Sequence, residues 1–415
     1  MPSWLFGCCR VSLFCALWCL ASTFLSLQAS VLGERDLPQL SSDELSVLVT
    51  GVPDPIHKLD PANPNSHLSK ILIPRAPGTE NITLVRNYIV STLKNLNWEV
   101  EVDEFTDETP IGKKRFANII ATKDPSASRR LVLSAHYDSK WFPDYPQNQF
   151  VGATDSAAPC AFMLDIAETL NPLLEDRIKR FEEGLIEEDD DDDIDDMTLQ
   201  LVFFDGEEAF HSWTDTDSIY GARHLAQKWA RTYRQHTKRR LLSVQETEIS
   251  AVEHLILLDL LGAPNPLIKS YFADTRWMFD ALVRIEQRLG DSGAFEYGEE
   301  KSMAPDSWQS WFLSRQNMNL GFGYLGDDHV PFLRQGVSVL HVIADPFPKV
   351  WHKLGDDRAA LDLPTMRRWS LLLRVFLSEY LHLRPEVSGK GAESPSENLT
   401  PQPESHRYDK NISDL

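Results

Sequence analysis

Leu201-Val202-Phe203-Phe204 runs straight into Asp205-Gly206-Glu207-Glu208, and no other stretch constrains the fold as much. An unbroken apolar run that stops at a glycine-containing turn reads as a strand buried on both faces, the kind found inside a parallel sheet. The acids then fall at the strand's carboxyl end, where open α/β sheets place their ligands. Two adjacent glutamates repel each other unless something compensates. One could hold a cation while its neighbour moves protons. The competing interpretation is a solvated acidic loop, the commoner fate of acidic side chains.

The surrounding pattern supports the first interpretation. Residues 31–75 are polar with scattered prolines and read as short helices and loops. A helix is predicted over 79–96, with Leu84, Tyr88, Ile89, Leu93 and Leu96 at helical spacing. Strands are predicted at 98–105, 116–122, 130–136, 253–260 and 338–343. Further helices are predicted from Asp155 or Ser156, either of which could cap it, to about Leu174, and over 218–231, 274–289 and 364–381. Strands alternating with helices point to a single α/β domain. Its central sheet is expected to be mixed and mostly parallel, with helices on both faces.

Charge and termini bound the rest. The net charge of −21 argues against nucleic-acid binding, which needs a basic face. Nine of those charges lie in Glu187–Asp196, and removing them still leaves about −12. Such blocks are usually solvated, so 183–197 is read as a surface insertion. Arg10 is the only charge before Glu34, and Val11 to Leu27 is largely apolar. Residues 1–29 thus read as a signal peptide, with an uncleaved anchor as the alternative. The expected location is the secretory pathway: secreted, or in the Golgi or ER lumen if anchored, which would be the only membrane contact. Four of the five cysteines fall in that segment, leaving Cys160 unpaired in an apolar context. Asn81, Asn398 and Asn411 head glycosylation tripeptides. Residues 384–415 carry no hydrophobic pattern and are expected to be a disordered tail, with residues 30–383 forming the domain.

Acids and histidines gather just after the predicted strands. His136-Tyr137-Asp138 follows one, Glu207 and Glu208 another, and Asp259 ends a third, while Asp155, Asp327-Asp328-His329 and His352 lie in loops. Each alone is weak, but strand ends of a parallel sheet converge on one rim. Carboxylate and imidazole donors without cysteine fit a catalytic zinc site.

The same residues carry a resemblance. His136-Tyr137-Asp138-Ser139, Gly152-Ala153-Thr154-Asp155-Ser156, Asp205-Gly206-Glu207-Glu208-Ala209 and a late histidine are arranged as in the zinc aminopeptidase clan, with its phosphorylase/hydrolase-like fold. Phe150–Ala157, Phe203–Phe210, Asp217–Ala226, Leu257–Pro266, Asp327–Leu333 and Pro346–His352 resemble the animal-type glutaminyl-peptide cyclotransferases more closely. The likeness spans about residues 75–383. It implies conversion of N-terminal glutamine, or glutamate, of peptides and proteins to pyroglutamate. It also implies one Zn2+ per chain held by Asp155, Glu208 and His352, with Glu207 as proton shuttle. Asp259 and Asp327 would orient the reacting groups, and Trp213, Phe347, Trp351 and His136 would contact substrate. A monomer is expected.

Three departures stand out, one being that the acidic run Glu187–Asp196 and the tail after residue 385 look like additions. Ala135 occupies a position where relatives often carry the cysteine that pairs with the one matching Cys160, and Gly326 stands where they often carry Gln. Two other readings remain open at this point. One is a zinc aminopeptidase using His136, Asp155, Glu208, Asp259 and His352 around two metals. The other is a catalytically silent binding protein on the same scaffold.

Overall fold

A computed structural model describes residues 35–184, 196–234, 246–296, 308–313 and 325–387. The signal or anchor segment 1–29 therefore lies outside the described residues, as do most of the 183–197 insertion and of the 384–415 tail. No helix among the described residues is long and apolar enough to cross a membrane.

Six strands form one sheet: β1 (Glu99–Thr109), β2 (Gly112–Thr122), β3 (Arg129–His136), β4 (Met197–Phe204), β5 (Val252–Asp259) and β6 (Ser338–Ile343), in spatial order β1-β2-β4-β3-β5-β6. β4, β3, β5 and β6 run parallel, and the β1–β2 hairpin adds antiparallel at one edge. The expected mixed, mostly parallel sheet is thus present. β1 and β6 are the two edge strands, and the acidic residues of β1 discourage pairing with another chain.

Every residue of β4 is buried. Leu199, Leu201 and Phe203 face one core, while Val202 and Phe204 face the other, as strand periodicity requires. Burying each such side chain is worth roughly 1.5–3 kcal/mol. Five main helices cover the two faces: α1 (Glu80–Asn95), α2 (Ala158–Glu182), α3 (Tyr220–Arg231), α4 (Arg276–Asp291) and α5 (Leu363–Tyr380). α1, α2, α4 and α5 pack on the first face and α3 on the second.

Two helix readings need correction. α1 buries Ile82, Val85, Ile89 and Leu93, whereas Leu84 is 60% exposed. α2 is capped by neither Asp155 nor Ser156. It begins at Ala158 and continues through Pro172 to Glu182. The side chains expected to cap it are turned into the site instead.

β3 and β4 pair with His136 opposite Phe204, so the chain leaves both strands at the same level. The turn after β4 depends on Gly206, whose φ is +76° and whose added Cβ would lie 2.5 Å from a Phe116 ring carbon. Gly206→Ala is expected to cost about 2–5 kcal/mol, read from urea unfolding, because it combines backbone strain with overpacking.

Candidate active site

The carboxyl ends of the four parallel strands deliver most of the functional groups to one rim. Asp138 follows β3 and is fully buried. Its carboxylate faces the backbone N–H groups of Glu207 (3.2 Å) and Glu208 (3.4 Å), fixing the segment after β4. Asp155 comes from the loop before α2, where Gly152 has φ +53° and an added Cβ would strike the Asp155 carbonyl, so the position requires glycine. His352 sits on the loop after β6 and itself has φ +54°, a strained value for a residue with a side chain.

Asp155, Glu208 and His352 converge. His352 Nε2 lies 3.4 Å from Asp155 Oδ2 and 3.2 Å from Glu208 Oε1. Both oxygens are buried, neither accepts a well-aligned hydrogen bond, and the His352 ring faces both. Stranded carboxylate oxygens are costly unless a cation takes them, so the set fits a metal. The other Glu208 oxygen is held by Lys140 Nζ at 3.2 Å, leaving one oxygen directed at His352. Burial opposes the imidazolium of His352, but Asp155 and Glu208 outweigh it and hold its pKa at about 9 without metal.

His136 does not line the cavity, contrary to the substrate contact expected of it. It is 1% exposed, with Nε2 3.0 Å from Asp155 Oδ1 and 3.4 Å from Asp259 Oδ1, and Nδ1 3.3 Å from Asp138 Oδ1. These carboxylates outweigh burial and raise its pKa well above the ordinary histidine value. His136, Asp155 and Asp259 also lie close enough to hold a metal, as do Asp327, His329 and His341. In the last group His341 Nε2 is already spent on Asp327, at 2.7 Å.

The acidic pair is held from behind. Ser156 donates a short hydrogen bond to Asp259, and His341 holds Asp327, whose second oxygen accepts the Asp328 N–H at 2.7 Å. Burial and the Asp327 charge push Asp259 up to about 6. Burial also opposes ionisation of Asp327, but its bond to His341 outweighs this and keeps its pKa below the usual value. Asp259 is thus the readier proton holder of the two. Glu207 is raised well above the usual glutamate range, by burial first and then by Glu208 and Asp327.

These groups open into a cavity of about 440 Å³, within the range for small-ligand sites. Glu207, Asp259 and Asp327 lie on its polar side, and Trp213, Phe347 and Trp351 on its aromatic side. Phe347 and Trp351 meet edge to face at 5.1 Å, and Trp351 stacks on the His352 ring at 3.8 Å. Asp217 fixes the approach to Trp213 by accepting the N–H groups of Phe210, His211 and Ser212 at 2.8–2.9 Å. A Cβ on Gly326 would lie 3.2 Å from the Trp213 indole nitrogen, so the indole occupies the space a side chain at 326 would take.

Sequence reasoning gave Ser156, Lys140, His341 and Asp356 no role in the site. Asp356 is fully buried, and burial followed by the Asp155 charge pushes its carboxyl up to about 7. A carboxyl bound more tightly to its proton in the folded chain than in the unfolded one, near 3.9, penalises folding increasingly as pH rises through that interval. Asp356→Asn is therefore expected to raise the Tm of the metal-free protein, relative to wild type, more at pH 8 than at pH 4, as read by scanning calorimetry.

Cys160 is buried and free, with Sγ 3.2 Å from the His136 carbonyl and its thiol pushed up to about 12 by burial. Asn81 lies in the first turn of α1, where its Nδ2 donates to the Pro74 carbonyl at 2.7 Å.

Comparison with known proteins agrees with this geometry. The profile of peptidase family M28 matches residues 118–377. The glutaminyl-peptide cyclotransferase of Drosophila melanogaster is 41% identical over 76% of this chain and 79% of its own length. That of Bos taurus is 41% identical over 76% and 81% respectively. The crystal structure of Macrostomum lignano glutaminyl cyclase superposes with a TM-score of 0.66 and 34% identity, covering 85% of this chain and 97% of that one. The chain therefore belongs to peptidase family M28 and, within it, to the glutaminyl-peptide cyclotransferases.

Proposed function

We propose that the chain converts N-terminal glutamine of peptides and proteins to pyroglutamate with release of ammonia, using one zinc ion held by Asp155, Glu208 and His352. The observation that carries this reading is the convergence of Asp155, Glu208 and His352 on the wall of a small cavity that Glu207 and three aromatic side chains also line. The identity to named cyclotransferases supports the substrate class. Zinc, when bound, supplies a Lewis acid that polarises the side-chain carboxamide and stabilises the oxyanion formed there.

The chain's own residues do the rest. Glu207 takes a proton from the α-amine as that nitrogen forms its bond to the carboxamide carbon. It then gives the proton to the departing NH₂ as the old carbon–nitrogen bond breaks, so ammonia leaves neutral. Asp259 and Asp327 accept hydrogen bonds from the amine and aim it. The reaction is intramolecular, so holding the side chain folded back on the amine supplies much of the rate. The Trp213, Phe347 and Trp351 wall favours that compact shape and limits water, the competing nucleophile.

A second reading rests on the approach of His136, Asp155 and Asp259, which would suit a two-metal aminopeptidase. Mass spectrometry of Gln-initiated and Ala-initiated peptides separates the two. Loss of ammonia from the first alone is expected, while removal of the first residue from either would establish hydrolysis. The apolar stretch Val11–Leu27 supports action in the secretory pathway.

A further inference from the structure

The metal set is drawn from segments that no strand holds together. Asp155 lies in the loop before α2 and His352 in the loop after β6, and neither loop belongs to the sheet. The turns around His352 are local, formed by Trp351 N–H to the Pro348 carbonyl, Lys353 N–H to Val350 and Asp356 N–H to Lys353. They shape the loop but do not fix its distance from Asp155.

The Phe150 ring meets the His352 ring edge-on at 6.4 Å, and among the described residues Asp356 bridges the gap by hydrogen bonds. Asp356, four positions after His352, accepts the Thr154 N–H and the Thr154 hydroxyl on a single oxygen, each at 2.9 Å. Its carbonyl accepts the Ala153 N–H at 3.0 Å. Three bonds from one residue thus reach the two positions just before Asp155. From the other side the fully buried Arg75 guanidinium donates to the carbonyls of Val151, Gly152 (3.3 Å) and Tyr137 (2.7 Å). Among the described residues no carboxylate pairs with Arg75, and its side-chain donors all go to main-chain carbonyls. Neither Arg75 nor Asp356 lines the cavity.

We propose that Asp356 is a positioning residue for the metal set: by clasping Thr154 it fixes the separation of Asp155 from His352, with Arg75 anchoring the same loop from behind. This rests on Asp155, Glu208 and His352 being the zinc ligands. Groups that orient ligands from outside the coordination sphere typically change metal affinity 10- to 100-fold when lost.

The test measures zinc affinity of the full chain by competition with a chromogenic chelator. It compares wild type, Asp155→Asn, Asp356→Ala, Asp356→Asn and Thr154→Val. Asp356→Ala is expected to bind zinc about 10- to 100-fold more weakly and, at saturating zinc, to lose more in kcat than in KM. Asp356→Asn keeps the acceptor oxygen and is expected to recover most of that affinity. Thr154→Val removes one bond at constant shape and is expected to fall between wild type and Asp356→Ala. If Asp356→Ala is recovered unfolded, Thr154→Val decides alone. Unchanged affinity in Asp356→Ala, or in Thr154→Val when it decides alone, overturns the clasp. So does an Asn variant as weak as the Ala variant. A wild type without zinc, or an Asp155→Asn variant that keeps wild-type affinity, would instead remove the ligand assignment and the clasp with it.

Discussion

Glu207→Gln is expected to lower kcat on Gln-initiated peptides by roughly 10²–10⁴-fold while zinc stays bound and KM changes by no more than a few-fold. The substitution is close to isosteric and leaves the backbone N–H of residue 207 free to keep its 3.2 Å contact with Asp138. The neighbouring ligand Glu208 keeps its own contacts to Lys140 and His352. What is lost is a group that can both accept and release a proton. Glu207 suits that role because burial, Glu208 and Asp327 raise its pKa above the ordinary glutamate value, which strengthens it as a base. Asp259 and Asp327 are the nearest substitutes, but each is engaged, by Ser156 and by His341 respectively. Ammonia release together with metal analysis checks this. A variant that kept a tenth of wild-type turnover would show that another group carries the proton.

The frame of the site was legible because its acids sit where strand patterning ends. Apolar runs stop at Phe204 and Leu258, and Glu207, Glu208 and Asp259 follow at the ends that a parallel sheet brings together. The groups that hold them were not legible. Ser156 meets Asp259 across 103 residues of chain, Lys140 meets Glu208 across 68, and Asp356 meets Thr154 across 202. No periodicity encodes such pairs, since they exist only after the loops have folded over the sheet. Leu84 shows a related ambiguity. Leu84 and Val85 both fit a helical apolar stripe, and only the seating of α1 on β1 and β2 buries Val85 and leaves Leu84 in solvent. His136 follows a strand as the other site residues do, but Asp138, Asp155 and Asp259 surround its ring and it stays buried outside the cavity lining.

That placement of His136 bears on the second large effect. Stripping zinc with a chelator is expected to abolish cyclisation, release one equivalent of metal per chain, and lower the Tm, with all three restored by added zinc. Stoichiometric metal binding stabilises the folded chain by about 4 kcal/mol when free metal exceeds Kd a thousandfold, so the Tm change is measurable. The expectation of one equivalent follows from how Asp155 is engaged. Asp155 is shared between two sets of groups: Oδ2 faces His352, while Oδ1 takes His136 Nε2 at 3.0 Å. His136 lies between Asp155, Asp259 and Asp138, and its Nε2 occupies the Asp155 oxygen that a second cation would need. His352→Ala is accordingly expected to weaken zinc binding at least about 100-fold, since it removes the one neutral donor and leaves two carboxylates facing each other. Release of two equivalents from wild type would mean that His136 gives up its proton and becomes a ligand. The two-metal hydrolase would then be the better account of the same residues.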